Sequence, residues 1–331
     1  MPAFSLRPVA RVLLAALLPL GAACDDDVTP NLYPDVVNFT QAGLYPEGSQ
    51  YDSQGSRFLV SSQTAGRIGQ VTIDGTYTSF ADDNSLVSTI GLNLDADRSR
   101  LLVAVSDPGY NTARTSATTK GKLAALVTLS LATGALTGYY DLGSLRPAYS
   151  AHFANDIAVD GQGNAYVTDS FAPLIYRVDV AGRATVFLEN TALGAPAGAF
   201  GLNGIVYHPD GYLLVAKSDE GAILKVPIAN PASFTKVAAP GLTLTGADGL
   251  QLLDNNTLLV VCNAQGQVYR LGSSDGFTNA SRSGSFATGA VYPTTLSRLG
   301  TTSYVLYSHL DALQKMQTPP VSQFSLARVQ F

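Results

Sequence analysis

Apolar residues in this chain come in short runs, each closed by Gly, Asp, Asn or Ser. Examples are Ala165-Tyr166-Val167-Thr168-Asp169-Ser170, Tyr212-Leu213-Leu214-Val215-Ala216-Lys217-Ser218 and Leu258-Leu259-Val260-Val261. Runs this short, rich in β-branched and aromatic residues and bounded by turn formers, read as strands. No helical period longer than a turn or two follows the N-terminal segment. The runs also repeat. One unit is a polar turn, an apolar strand, an Asp/Gly turn, a second apolar strand ending in Ser or Asp, and a third strand with Tyr or Val. Asn155-Asp156-Ile157 opens one unit and Asn203-Gly204-Ile205 opens the next. The same order starts at Glu47, at Ile90, at Asp248 and, more weakly, near Tyr292-Pro293. Most starts lie roughly 45 residues apart, the spacing of propeller blades.

A four-stranded unit has open edges and one face too many, so it needs neighbours. Radial packing solves both problems. The predicted fold is all-β, a six-bladed β-propeller of four-stranded antiparallel blades over residues 35–331. Val36-Val37-Asn38-Phe39 can supply the outer strand that the C-terminal unit lacks, tying the two ends together. A β-sandwich lacks this period and a parallel β-helix has a shorter one. The interval from Ile90 to Asn155 is long, and its surplus, around Ser106 to Lys122, reads as a surface loop. His208, in a Pro-Asp-Gly turn, is expected to face solvent, and Lys217-Ser218-Asp219-Glu220 to form a solvated blade loop.

The N-terminus has a different pattern. Arg7 and Arg11 precede the apolar run Val12–Leu20, and Gly21-Ala22-Ala23 leads into Cys24. Basic start, apolar middle and small-residue exit make residues 1–23 a secretory signal. The run is shorter than the ~20 residues a spanning helix needs. Cys24 in this position is a lipidation candidate; the alternative is an ordinary cleaved signal. Residues 24–34 then form a tether that begins Asp25-Asp26-Asp27. The expected location is export, with a lipid anchor on a bacterial membrane facing the periplasm or the cell surface.

Composition agrees with an exported β-protein. Of 331 residues 14% are charged, Gly numbers 31, and Trp is absent beside 16 Tyr and 13 Phe. The net charge is −5, and loss of Arg7 and Arg11 with the signal makes it −7. No Lys/Arg cluster stands out, which argues against a nucleic-acid partner. Beyond Cys24 one cysteine remains, Cys262, inside an apolar run, so there is no disulfide framework and the thiol reads as a buried strand residue.

In a propeller the innermost strand of each blade runs beside the central channel, and the residue at its entrance points into the mouth. The six entrances are Glu47, Ile90, Asn155, Asn203, Asp248 and a residue near Tyr292 or Pro293. Four of these are oxygen donors. Two carboxylates and two amide oxygens on one axis suit a hard divalent cation, Ca²⁺ first, and no soft ligand or His stands at an entrance. The competing explanation is that Asn-Gly and Asp-Gly are ordinary turn formers. Glu47, a poor turn former, weighs against it.

Tyr45-Pro46-Glu47-Gly48, Asn155-Asp156, Leu202-Asn203-Gly204 and Ala247-Asp248-Gly249 resemble the signatures of the senescence-marker-protein/gluconolactonase family of calcium-dependent six-bladed propellers, with paraoxonases and diisopropyl fluorophosphatase as more distant relatives. The resemblance implies that Glu47, Asn203 and Asp248 ligate the metal. Asn155 is then a further ligand or the holder of water and substrate. It also implies hydrolysis of lactones or similar esters, with water attacking a polarised carbonyl and Asp248 as general base. Phe153 stands where sugar-lactonase members often carry Arg, which favours an apolar substrate face. His152 and His309 are further substrate-contact candidates, each with a structural hydrogen bond as the plainer explanation. The expected partner is a small-molecule lactone or ester bound by a monomer. The alternatives are a non-catalytic propeller that binds a glycan or protein around a structural ion, and a phosphotriesterase-like activity.

Overall fold

The computed structural model describes residues 1–4 and 33–331. The signal segment, Cys24 and the tether through residue 32 lie outside the described residues, apart from the first four positions. Among the described residues no helix is long and apolar enough to cross a membrane.

Residues 36–328 form six antiparallel four-stranded sheets. Blade 1 holds Ser49–Asp52, Arg57–Val60, Ile68–Thr72 and Tyr77–Ala81. Blades 2 to 5 open with Ser88–Asp95, Ala154–Val159, Leu202–His208 and Ala247–Asp254. Blade 6 is made of Pro293–Leu299, Thr302–Tyr307, Gln323–Arg328 and, as its outer strand, Val36–Thr40. The first strands touch one another in a closed ring, blade 1 to blade 6 and back to blade 1. The expected six-bladed propeller is therefore the observed fold, with the N-terminal strand closing it. Val37 pairs with Leu326 and Phe39 with Phe324. All four are buried and join Phe58 of blade 1 in one cluster, so closure is an apolar contact as well as a hydrogen-bonded one.

The hydrophobic pattern follows from radial packing. Second strands lie between neighbouring blades with both faces covered, so they read as continuous apolar runs. Tyr212–Lys217 is buried along its whole length, as is Ala165–Asp169. Outer strands keep one face in water and alternate, as in Leu136–Asp141. Cys262 ends one such second strand, fully buried as expected.

The polar starts differ from expectation in one respect. Asn155-Asp156, Asn203-Gly204 and Asp248-Gly249 are not turns. They lie inside the first strands, where the pairing register slips between Ala154 and Ile157, Leu202 and Ile205, and Ala247 and Leu250. These are β-bulges, which re-aim side chains and often border functional sites. The glycines beside them are not in the left-handed region. They serve close approach. A Cβ at Gly48 would collide with the Ile90 carbonyl oxygen, at Gly91 with that of Asn155, at Gly204 with that of Asp248, and at Gly249 with that of Thr294. The same chain of contacts makes Thr294, beside Pro293, the sixth entrance. In blade 3 the glycine position is Asp156.

His208 is also a correction. It is fully buried, stacked on Tyr212 at 4.2 Å, and its Nδ1 accepts from the Asp210 N–H while Nε2 donates to the Asn255 carbonyl at 2.9 Å. The turn's own backbone and a neighbouring blade satisfy both nitrogens, which makes burial tolerable.

If ring closure needs these glycines, Gly204→Ala and Gly249→Ala each cost about 1–3 kcal/mol of stability through overpacking against backbone. Gly161, with open space around its Cβ position, is the control, and Gly161→Ala should stay within about 0.5 kcal/mol. Denaturant melts check this; equal effects at all three positions would refute the close-approach explanation.

Candidate functional site

The central channel opens into a cavity of about 660 Å³ whose lining includes Glu47, Asn155, Asn203 and Asp248. Four oxygen-bearing side chains, separated by up to two hundred residues in sequence, thus meet on one concave surface. Each is at least nine-tenths buried. Ile90 and Tyr292 also line the cavity. Thr294 does not: its hydroxyl donates to the Glu47 carbonyl at 2.8 Å and bonds Ser308.

A repeated second-strand device orients these side chains. The polar residue at or just beyond the end of each second strand reaches the bulge of its own blade or the next. In blade 3, Ser170 Oγ donates to the Leu202 carbonyl at 2.6 Å and accepts from Asn155 Nδ2 at 2.9 Å. In blade 4, Ser218 Oγ donates to the Ala247 carbonyl and accepts from Asn203 Nδ2 at 3.1 Å. A serine hydroxyl has one proton. Each is spent on a carbonyl, so each serine can only accept from its asparagine. The amide NH₂ must face the serine, and the amide oxygen must face the cavity. In blade 1, Ser61 Oγ accepts from the Glu47 and Gly48 N–H groups at 3.0 and 2.7 Å. In blade 5, Asn263 Nδ2 donates to Asp248 Oδ2 at 2.9 Å.

The result is a set of oxygens without partners. Glu47 Oε2, Asn155 Oδ1 and Asn203 Oδ1 are buried and make no hydrogen bond. The other four such atoms among the described residues, on Arg67, Tyr77, Tyr212 and Arg270, belong to residues that do not line this cavity. A buried acceptor left unpaired costs about 1–3 kcal/mol. Three such acceptors and a carboxylate on one surface fit a hard cation, which takes six to eight oxygens of this kind. No group of three or more His, Cys, Asp or Glu is arranged for a metal among the described residues; the set here is two carboxylates and two amides.

Electrostatics point the same way. Burial pushes the Glu47 carboxyl well above the usual range, and the charges of Asp248 and Asp156 add to it. Burial raises Asp248 to about 8 against the hydrogen bonds from Asn263 and Asn203, with Asp156 adding to the rise. Asp156 is raised by burial to about 7, against the Ile157 and Ile205 N–H groups. Asp156 was not singled out from sequence as a site residue. It lies in the channel beyond Asn155, bordering a second, smaller cavity, and its Oδ2 accepts from Ile205 N at 3.2 Å. Its place at a position that is Gly in four blades was the signal for it.

Phe153 lines the main cavity, as expected. His152 and His309 are not among the lining residues. His152 bonds Asp169 at 2.7 Å and the Arg146 carbonyl at 3.2 Å, so both ring nitrogens are engaged structurally. His309 precedes the five-residue helix Leu310–Gln314, whose Leu310, Leu313 and Gln314 do face the cavity. The expected solvated loop at Lys217-Ser218-Asp219-Glu220 holds in part: Ser218–Glu220 form a turn with Asp219 and Glu220 exposed, but Lys217 belongs to the strand before it. Lys217 is buried and pairs with Asp219 at 2.7 Å, while Ser218 and Asp219 line the cavity. The long insertion in blade 2 also bends over the site: Pro108, Tyr110, Lys120 and Gly121 line it. Asp107 holds that loop, accepting from Gly109 N, Thr115 Oγ1 and Thr119 Oγ1.

No family model matches the chain, and no curated protein matches it in sequence. Solved structures do resemble it. The Malassezia sympodialis allergen Mala s 1 covers 90% of this chain and 96% of its own at 17% identity and a TM-score of 0.71. A calcium-binding protein, regucalcin, from Agrobacterium tumefaciens covers 87% and 92% at 18% identity and a TM-score of 0.60. Virginiamycin B lyase from Staphylococcus aureus covers 89% and 99% at 13% identity and a TM-score of 0.55. The chain shares their fold. An allergen, a calcium-binding protein and a lyase on one architecture leave function to the site.

Two outcomes follow. Removing the serine acceptor frees the amide to turn, so Ser170→Ala and Ser218→Ala should each weaken Ca²⁺ binding on the order of tenfold, with Ser218→Thr retaining it. Titration calorimetry reads this, and unchanged affinity in both alanine variants would rule out the orienting role. The second concerns pH. Glu47 and Asp248 hold protons more tightly in the folded metal-free chain than the ~4 of an unfolded carboxyl. The folded state therefore binds more protons between pH ~4 and ~8, and its stability falls as pH rises through that window. Thermal melts in chelator should show this fall, with added Ca²⁺ restoring more stability at pH 8 than at pH 5 and Asp248→Asn flattening the profile. A flat wild-type profile would contradict it.

Proposed function

We propose that this protein is an exported, metal-dependent hydrolase of lactones or similar carboxylic esters. The observation that carries the reading is the convergence of unpartnered buried oxygens from Glu47, Asn155 and Asn203 with Asp248 on one cavity. These four residues would hold a divalent cation, Ca²⁺ first, with Glu47 and Asp248 supplying the charge that balances it. When bound, the cation supplies Lewis-acid polarisation of a carbonyl and stabilises negative charge on its oxygen. Asp248 would take the proton of an attacking water. Its Oδ2 accepts from Asn263, and as a carboxylate beside the bound cation it would be an acceptor for that proton. Asn155, with its oxygen fixed by Ser170, positions water or the substrate carbonyl. Phe153 beside it keeps bulk water from that side. The fold of regucalcin supports the reading at the level of architecture.

Export rests on the sequence of residues 1–23 and lipidation on Cys24, with residues 24–34 as tether and the propeller held at a membrane facing the periplasm or cell surface. The partner is a small molecule, and the domain works as a monomer without nucleic acid.

Glu47→Gln, Asn203→Ala and Asp248→Asn should each lower hydrolysis of a lactone and ester panel on the order of 10²–10³-fold, and chelator should do the same to the parent. Retained folding is checked by circular dichroism. If the Ca²⁺-loaded parent turns over nothing and the variants lose only thermal stability, the ion staples the blades and the non-catalytic reading replaces this one.

A further inference from the structure

The walls above the oxygen cluster are apolar on two sides. On the side of blades 3 and 4, Phe153, Phe171 and Phe200 form a triangle of rings, with centroids 5.2, 5.3 and 5.1 Å apart. They come from three separate segments: one just before the first strand of blade 3, one after its second strand, and one before the first strand of blade 4. Blade 6 lies across the ring from blade 3. From it Tyr292, Leu310 and Leu313 face the same cavity. Phe153 is buried while Phe200 is 38% exposed, so the aromatic surface runs from the interior to solvent. A large aromatic side chain held half in water beside a cavity has contact area to give to a ligand.

The polar side chains that blades 4 and 5 bring to the walls are committed to partners, whereas Gln63, Tyr110, Lys120 and Gln314 line the cavity from blades 1, 2 and 6. Asn263 bonds Asp248, Ser218 bonds Asn203 and the Ala247 carbonyl, and Asp219 bonds Lys217. A polyhydroxylated ligand needs donors and acceptors aimed at its hydroxyls and loses affinity where apolar surface strips their water without replacing it. A ring or alkyl tail needs only the surface that is present. The polar floor and apolar walls together describe a ligand with one polar carbonyl end and one water-insoluble end.

We propose that the cavity takes lactones or esters bearing an aromatic ring or an alkyl tail, in preference to polyhydroxylated sugar lactones. The carbonyl faces the oxygen cluster and the apolar group lies between the phenylalanine triangle and the Leu310–Leu313 wall. The preference rests on the hydrolase reading above for the orientation of the carbonyl. It rests on the rings alone for the apolar group.

The test compares γ-phenyl-γ-butyrolactone and γ-decalactone with glucono-δ-lactone on the Ca²⁺-loaded protein. The two apolar lactones should show kcat/KM at least about tenfold above the sugar lactone. Phe200→Ala should raise KM for the phenyl lactone roughly tenfold while kcat changes less, and Phe200→Leu should recover much of the loss. Equal or faster turnover of glucono-δ-lactone, or an unchanged KM in both Phe200→Ala and Phe171→Ala, would overturn the proposal. Calorimetric binding of γ-phenyl-γ-butyrolactone to Asp248→Asn separates the two readings. If nothing is hydrolysed but the lactone binds and Phe200→Ala weakens it, the hydrolase reading fails and the ligand preference stands. If hydrolysis occurs but this lactone does not bind, the preference fails alone.

Discussion

The structure depends on six backbone segments passing very close to one axis. Bulges in the first strands turn side chains toward that axis, and glycines at positions 48, 91, 204 and 249 let four of the six segments lie against the next. Once the strands are that close, the side chains beside those glycines have no choice of neighbour. Oxygens of Glu47, Asn155, Asn203 and Asp248 share one surface, and on the first three a buried oxygen has no donor to satisfy it. Most proteins avoid that arrangement because of its desolvation cost. Here it is reinforced: serines at the ends of two second strands spend their protons elsewhere and so hold two amide oxygens toward the cavity.

Much of this was legible in the chain itself. The continuous apolar runs of second strands, as in Leu258–Val261, mark sheets covered on both faces, and the period of roughly 45 residues marks blades. Val36–Phe39 could be assigned to blade 6 because that unit lacked a strand. The four oxygen donors were found because they share a register. What stayed hidden depends on local backbone geometry. Asn-Gly and Asp-Gly look alike in a turn and in a bulge, and only the pairing register separates the two. His208 sits in a turn that normally faces water, yet a carbonyl from the neighbouring blade makes its burial possible. Lys217–Glu220 reads as a charged loop, and Ser218–Glu220 do form a turn, but composition does not reveal that Lys217 is buried at the strand end and paired with Asp219. Asp156 stood in plain view within the Asn155 motif, but its meaning required knowing that the position is otherwise glycine.

The fold and the site say different things. Structures of similar architecture include an allergen, a calcium-binding protein and a lyase, so the propeller supplies a scaffold and a channel, not a reaction. The chemistry belongs to side chains that the scaffold collects: carboxylates raised by burial, amide oxygens oriented by serines, and a triangle of phenylalanines above them. The polar floor suits a cation and a carbonyl. On the function proposed above, the apolar walls would select what is attached to that carbonyl. Separate elements supply the two features, so ligand preference can change through Phe171 or Phe200 without disturbing the oxygen cluster.

The central claim is that the four axial oxygens surround a cation. Crystals of the domain loaded with Mn²⁺ or Ca²⁺, measured where the ion scatters anomalously, locate it directly. The account predicts one strong peak in the channel mouth within coordination distance of Glu47, Asn155, Asn203 and Asp248. A fully loaded crystal with that position lacking a peak, and ions bound only at the surface, would contradict it.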